Sequence, residues 1–186
     1  MSAPPIKPTS APKPPSTQAP VVADAPTVPT TPVPTAPVLT TPKETVSQSN
    51  ASKKAQSYLR SSSFSRTGLI EQLMYEGFSE ADATYGTDSL GTNWNEQAVK
   101  KAQSYLRSSS FSRSGLVEQL AYEGFSPEQA EYGVGGVSVD WNEQAAKKAQ
   151  SYLNSSAFSR DGLIDQLLYE GFTQAQAEYG VNAVGL

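Results

Sequence analysis

The sequence predicts an all-α protein: three tandem three-helix, helix-turn-helix-like repeats of 47-residue period after a disordered Pro-rich tail. Three observations predict it. A block beginning KKAQSYL recurs at Lys53, Lys100 and Lys147, 47 residues apart both times. Inside each block, apolar residues follow a helical period that is interrupted at fixed places by capping residues and glycines. Proline and the aromatics divide the chain: 13 of the 14 prolines lie in residues 1–42, whereas the first of the 17 aromatics is Tyr58.

Residues 1–46 read as a Pro/Thr/Ala-rich spacer. Residues 1–50 carry only Lys7, Lys13, Asp24, Lys43 and Glu44 as charges and no aromatic residue. Such a composition cannot bury enough apolar surface to offset an ordering entropy of about 1–2 kcal/mol per residue. An extended polyproline II stretch of this kind would reach roughly 100 Å. Several PxxP spacings, such as Pro5–Pro8 and Pro12–Pro15, follow from the density of proline itself. The tail has no basic start followed by an apolar run, and no stretch of the chain approaches the length of a membrane span.

The remainder divides into repeats at 47–92, 93–139 and 140–186. In the second, Asn93 and Glu96 have the spacing of a capping box, as do Asp140 and Glu143 in the third. WNEQA opens both units, and Ser47 stands at the Trp position of the first, which predicts a less sharply defined start there. Ala98, Ala102, Tyr105 and Leu106 form one face of helix one, which the Ser108–Ser110 run ends. Phe111 precedes Ser112, the expected cap of helix two, and Leu116, Val117 and Leu120 face inward. Gly124 followed by Phe125 is a Schellman pattern, repeated at Gly77–Phe78 and Gly171–Phe172. Helix three opens with Ser126, Pro127 and Gln129, matched by Thr173 and Gln176, and Ala130 and Val134 face inward. A glycine (Gly86, Gly133, Gly180) is expected to close it. Units this small sit near the lower limit for independent folding. Beads with limited docking, joined by flexible junctions with Gly135–Gly136 in the second, are favoured over an array in which Trp94 and Trp141 dock firmly onto the preceding unit.

Composition narrows function. The chain has no His and no Cys, which removes Ser-His and Cys-His dyads, ordinary zinc sites and disulfides. No catalytic residue, metal ligand, cofactor or small-molecule substrate is expected, and the chain does not read as an enzyme. The net charge of −4 argues against a binder of phosphate backbones. Basic residues do cluster at Lys53, Lys54, Arg60 and Arg66 and at Lys100, Lys101, Arg107 and Arg113, so a nucleic-acid-binding array stands as one alternative. The repeats nevertheless carry 11 positive against 16 negative residues, and helix two is acidic.

The segment WNEQAVKKAQSYLRSSSFSRSGLVEQLAYEGFSPEQAEYGV, from Trp94 to Val134, resembles the Ltp family, the host cell surface-exposed lipoproteins of Gram-positive bacteria and their prophages. The other two copies share A–YL, FS, GL–QL, EGF and A–Y, so the likeness extends over residues 47–186. The resemblance implies a compact module displayed at the cell surface and a role in superinfection exclusion, in which a resident prophage blocks DNA entry by a second phage. It implies a protein partner, a phage tail or tape measure protein. The family's usual signal and lipidated Cys are not found in this sequence, so a membrane association would run through an anchor outside it. The tail fits a spacer lifting the modules from such an anchor.

The acids supply the candidate partner-binding face: Glu71 and Glu76 in unit one, Glu118, Glu123, Glu128 and Glu131 in unit two, Asp165, Glu170 and Glu178 in unit three. Glu80 and Asp82 add to the first. Three-fold repetition favours a basic helical partner held by avidity. Tyr75, Tyr122 and Tyr169, beside these acids, are read as core residues, with exposed contacts as the alternative. A cell-wall or host-surface adhesion module is the main competing function.

Overall fold

The computed structural model describes residues 43–186; the spacer expected at 1–46 lies almost wholly outside them. Nine α-helices and no strand occur among the described residues. They are α1 (Val46–Ser61), α2 (Arg66–Tyr75), α3 (Glu80–Asp88), α4 (Trp94–Ser108), α5 (Arg113–Tyr122), α6 (Pro127–Gly135), α7 (Trp141–Ser155), α8 (Arg160–Tyr169) and α9 (Gln174–Ala183). Each successive triplet is one unit.

Local chemistry sets the helix ends. Ser112 accepts from the Gly115 N–H as N-cap of α5, and Ser65 and Ser159 do the same for α2 and α8. Past α5, Gly124 takes φ of 83°, a left-handed conformation open to glycine at little cost. The Phe125 N–H reaches the Leu120 carbonyl at 3.1 Å and the Gly124 N–H the Ala121 carbonyl at 2.9 Å, completing a Schellman turn. Ser126–Gln129 and Thr173–Gln176 form full capping boxes at α6 and α9. Helix one departs from expectation. Asp140 caps α7 through the Asn142 N–H alone, and Asn93 meets Glu96 side chain to side chain, so neither start is a full box. The full box occurs instead at Thr45–Gln48, giving the first unit the sharpest start of the three.

Each unit closes around its own core. In the second, Ala98, Ala102, Leu116, Leu120, Phe125, Ala130 and Val134 are buried. Burying a leucine or phenylalanine side chain is worth about 1.5–3 kcal/mol, so Leu116, Leu120 and Phe125 dominate a core completed by Val134 and alanines. Helices one and three make the most extensive contact. Their closeness depends on Gly86, Gly133 and Gly180. These glycines do not close helix three: all three are buried inside it, against Ala51, Ala98 and Ala145 of helix one. A Cβ on Gly133 would stand 2.8 Å from the Ala98 backbone, so the helices can meet at this distance only without a side chain.

The units are also joined. Trp94 packs on the core of unit one and Trp141 on that of unit two, each side chain reaching back across the junction that precedes it. The Ser65 hydroxyl donates to the Glu123 carbonyl (2.6 Å), and the Ser112 hydroxyl to the Glu170 carbonyl (2.5 Å). Gly135 is the last residue of α6 and Gly136 caps it, so the second junction is not a loose Gly-Gly hinge. The extensive helix–helix contacts among the described residues all lie within a unit, and the tryptophans and these serine hydrogen bonds supply limited docking between successive units.

Candidate functional site

Which acids face outward depends first on which are engaged internally. Lys101 and Tyr105 lie one turn apart on α4 and both reach Glu123 just past α5. The Lys101 ammonium is 2.8 Å from the carboxylate, the Tyr105 hydroxyl donates to its other oxygen, and the Gln119 amide donates to Tyr105 at 3.1 Å. The same constellation is built by Lys54, Tyr58, Gln72 and Glu76, and by Lys148, Tyr152, Gln166 and Glu170. Burial pushes the Glu123 carboxyl up, but the hydrogen bonds from Lys101 and Tyr105 outweigh it and hold the group below its ordinary range; Glu170 behaves alike. Burial and then the bond to Glu123 push the Tyr105 phenol up to about 12. Each lysine also sits over the tyrosine ring, Lys101 at 5.5 Å from the centroid.

Three of the nine expected surface acids, Glu76, Glu123 and Glu170, are therefore clamps between helix one and helix two. Glu131 pairs with Arg113 at 2.7 Å, Glu128 accepts from the Ser126 hydroxyl, and Glu178 accepts from Gln174. In unit one, Asp82 accepts from Ser47 and Ser79. The ion pairs among the described residues are Lys54–Glu76, Arg66–Asp88, Lys101–Glu123, Arg113–Glu131 and Lys148–Glu170. Glu71, Glu118 and Asp165 belong to none of them and are exposed.

One turn beyond each of these acids stands a tyrosine. Tyr75, Tyr122 and Tyr169 are 89%, 87% and 88% exposed, so they are surface residues and not core. At the junction of units two and three, Phe111, Glu118 and Tyr122 from one side and Tyr169 and Glu170 from the other line an open groove of about 570 Å³. The two walls are tied together: Ser114, which lines the groove, donates to the Gly171 carbonyl, and the buried Ser112 donates to the Glu170 carbonyl. Sequence reasoning named these acids within a wider set, read the tyrosines as core, and missed the Lys-Tyr-Glu clamp, although its spacing repeats in all three units.

Among the described residues no group of three or more acidic side chains could hold a metal ion. No helix among them is long and apolar enough to cross a membrane. What the fold presents is a class of molecule, a tandem array of small helical modules with a repeated aromatic-acidic stripe.

The model of one family, the host cell surface-exposed lipoproteins (Ltp), matches residues 47–90, 93–137 and 140–184, and the chain belongs to that family. Among solved structures, the chain is similar to Ltp, a superinfection exclusion protein from the Streptococcus thermophilus temperate phage TP-J34. Identity is 32%, the match covers 51% of this chain and 97% of the other, and the TM-score is 0.47. No curated protein matches the chain.

Proposed function

We propose that this protein excludes superinfecting phage: displayed outside the cell, its repeats bind a protein of the incoming injection apparatus, a tail or tape measure protein, and stop DNA entry without catalysing a reaction. Family membership across all three units carries the reading. The exposed face supports the manner of action. Glu71, Glu118 and Asp165 leave one unpaired carboxylate per unit beside an exposed tyrosine, and a basic helical partner would meet the same features three times. Weak contacts in tandem gain strength through effective concentration, so modest affinity per unit suffices.

The test is the efficiency of plating of a broad phage panel on cells displaying the whole chain against cells displaying residues 1–46 alone. At least one phage should plate markedly less well on the first. Equal plating across the panel, together with retention of the chain on purified wall material, would replace exclusion by adhesion.

A further inference from the structure

Resting on that reading, we propose that the grip is made in the grooves between successive units, where a tyrosine from each side and one unpaired carboxylate receive an arginine or lysine side chain of a polypeptide partner. At the second junction those groups are Tyr122, Tyr169 and Glu118, all lining one groove of about 570 Å³. Neither tyrosine supports the fold, because 87% and 88% of their surfaces stay in water. Large aromatic side chains held this open carry the features of interface residues, an apolar ring with a polar tip. Glu118 precedes Tyr122 by one helical turn, so acid and ring share one face of α5.

The chemistry of the occupant follows from a contact the fold makes three times within itself. Lys101 lies 5.5 Å from the centre of the Tyr105 ring and 2.8 Å from the Glu123 carboxylate. Lysine, tyrosine and carboxylate thus already form a stable set in each unit, and the groove presents the ring and carboxylate to a cation from outside. The acids Glu118 and Glu170 on opposite walls disfavour phosphate and therefore nucleic acid. Tyr169 and Glu170 come from the unit after Tyr122, so a single unit has only half a groove. The 47-residue register gives Glu71, Tyr75 and Tyr122 the corresponding places at the first junction, where Ser65 meets Glu123 as Ser112 meets Glu170. A groove repeated at both junctions would suit a partner segment with more than one cation.

The full chain is titrated with a synthetic helical peptide of Arg, Ala and Gln, and with the same peptide carrying Gln for every Arg, while tyrosine ring signals are followed by NMR. The Arg peptide should move the Tyr122 and Tyr169 signals and leave that of Tyr105 in place; the neutral peptide should move none. Tyr122→Ser and Glu118→Gln should each weaken binding roughly 3–10-fold, the range of one cation–π or exposed charge contact. Both sites are exposed, so melting curves should match the native chain. Equal response to the two peptides, or native affinity in Tyr122→Ser, overturns the groove. A Tyr122→Ser, Tyr169→Ser chain that still excludes phage as the native one does also overturns it and leaves exclusion standing. Peptide binding at the grooves with no phage excluded does the reverse.

Discussion

Ser65 donates its hydroxyl hydrogen to the main-chain carbonyl of Glu123, 58 residues away and in the next unit, while the same oxygen accepts from the Gly68 N–H as cap of α2. Glu123 is held from the other side by Lys101 and Tyr105, so one residue fastens its own unit and the one before it. Ser112 and Glu170 repeat the arrangement. Ser159, the third member of the series, only caps its helix and is exposed.

That difference isolates the strength of docking. Ser159→Ala removes a cap and should cost about 1 kcal/mol. Ser112→Ala removes the cap and also leaves the Glu170 carbonyl without its donor, which should add about 1 kcal/mol more. Urea unfolding of the two variants measures the gap; equal losses would mean that the junction bond contributes nothing.

Gly133→Ala should destabilise by about 1–3 kcal/mol, since the added methyl would stand 2.8 Å from the Ala98 backbone. Gly135→Ala, in the same helix but where an added methyl would meet nothing within 4 Å, should be neutral or slightly stabilising. Paired thermal melts decide it, and a lower Tm for both would place the effect on the helix and not on the crossing.

Trp94→Ala should weaken unit one although the residue belongs to α4 of unit two. Half the cost of a fully buried tryptophan, about 2 kcal/mol, is expected for a partly buried indole. Hydrogen exchange of α2 amides would report it, and exchange unchanged outside unit two would refute the docking.

The Lys-Tyr-Glu clamps predict stability losses at both ends of the pH scale. The Glu123 and Glu170 carboxyls titrate below their ordinary range in the folded chain, so their contribution is present above the unfolded value and is lost as pH falls through the folded one. The Tyr105 phenol is raised, so its contribution is full below about 10 and is lost as pH climbs through about 12. Melting of Glu123→Gln across pH should show a flatter acid limb than the native chain; an identical limb would remove Glu123 from the account.

Much of this was legible in the sequence wherever the signal lay within a few residues. The Ser112 cap, the Gly124–Phe125 turn and the Ser126–Gln129 box are hydrogen-bond patterns complete inside one short segment. Gly133 was misleading for the same reason: locally, glycine signals a helix stop, but here it answers to Ala98, 35 residues earlier. Glu123 and Glu118 are indistinguishable as acids on one helical segment until α4 brings Lys101 and Tyr105 to the first and not the second. Tyr122 is ambiguous by nature, apolar enough for a core and polar enough for a surface, and only the packing of Leu116 and Leu120 ahead of it settles its side.

Phage adsorption and phage DNA entry, measured separately on cells displaying the native chain and on cells displaying a chain with Glu71→Lys, Glu118→Lys and Asp165→Lys, test the central claim most directly. All three acids are exposed, so the fold should survive. For a phage that the native chain excludes, adsorption should be equal on both cell types, with DNA entry blocked by the native chain and restored by the charge-reversed one. Blocked entry with both chains would contradict a grip through this face, and entry undiminished by the native chain for every phage tried would contradict exclusion itself.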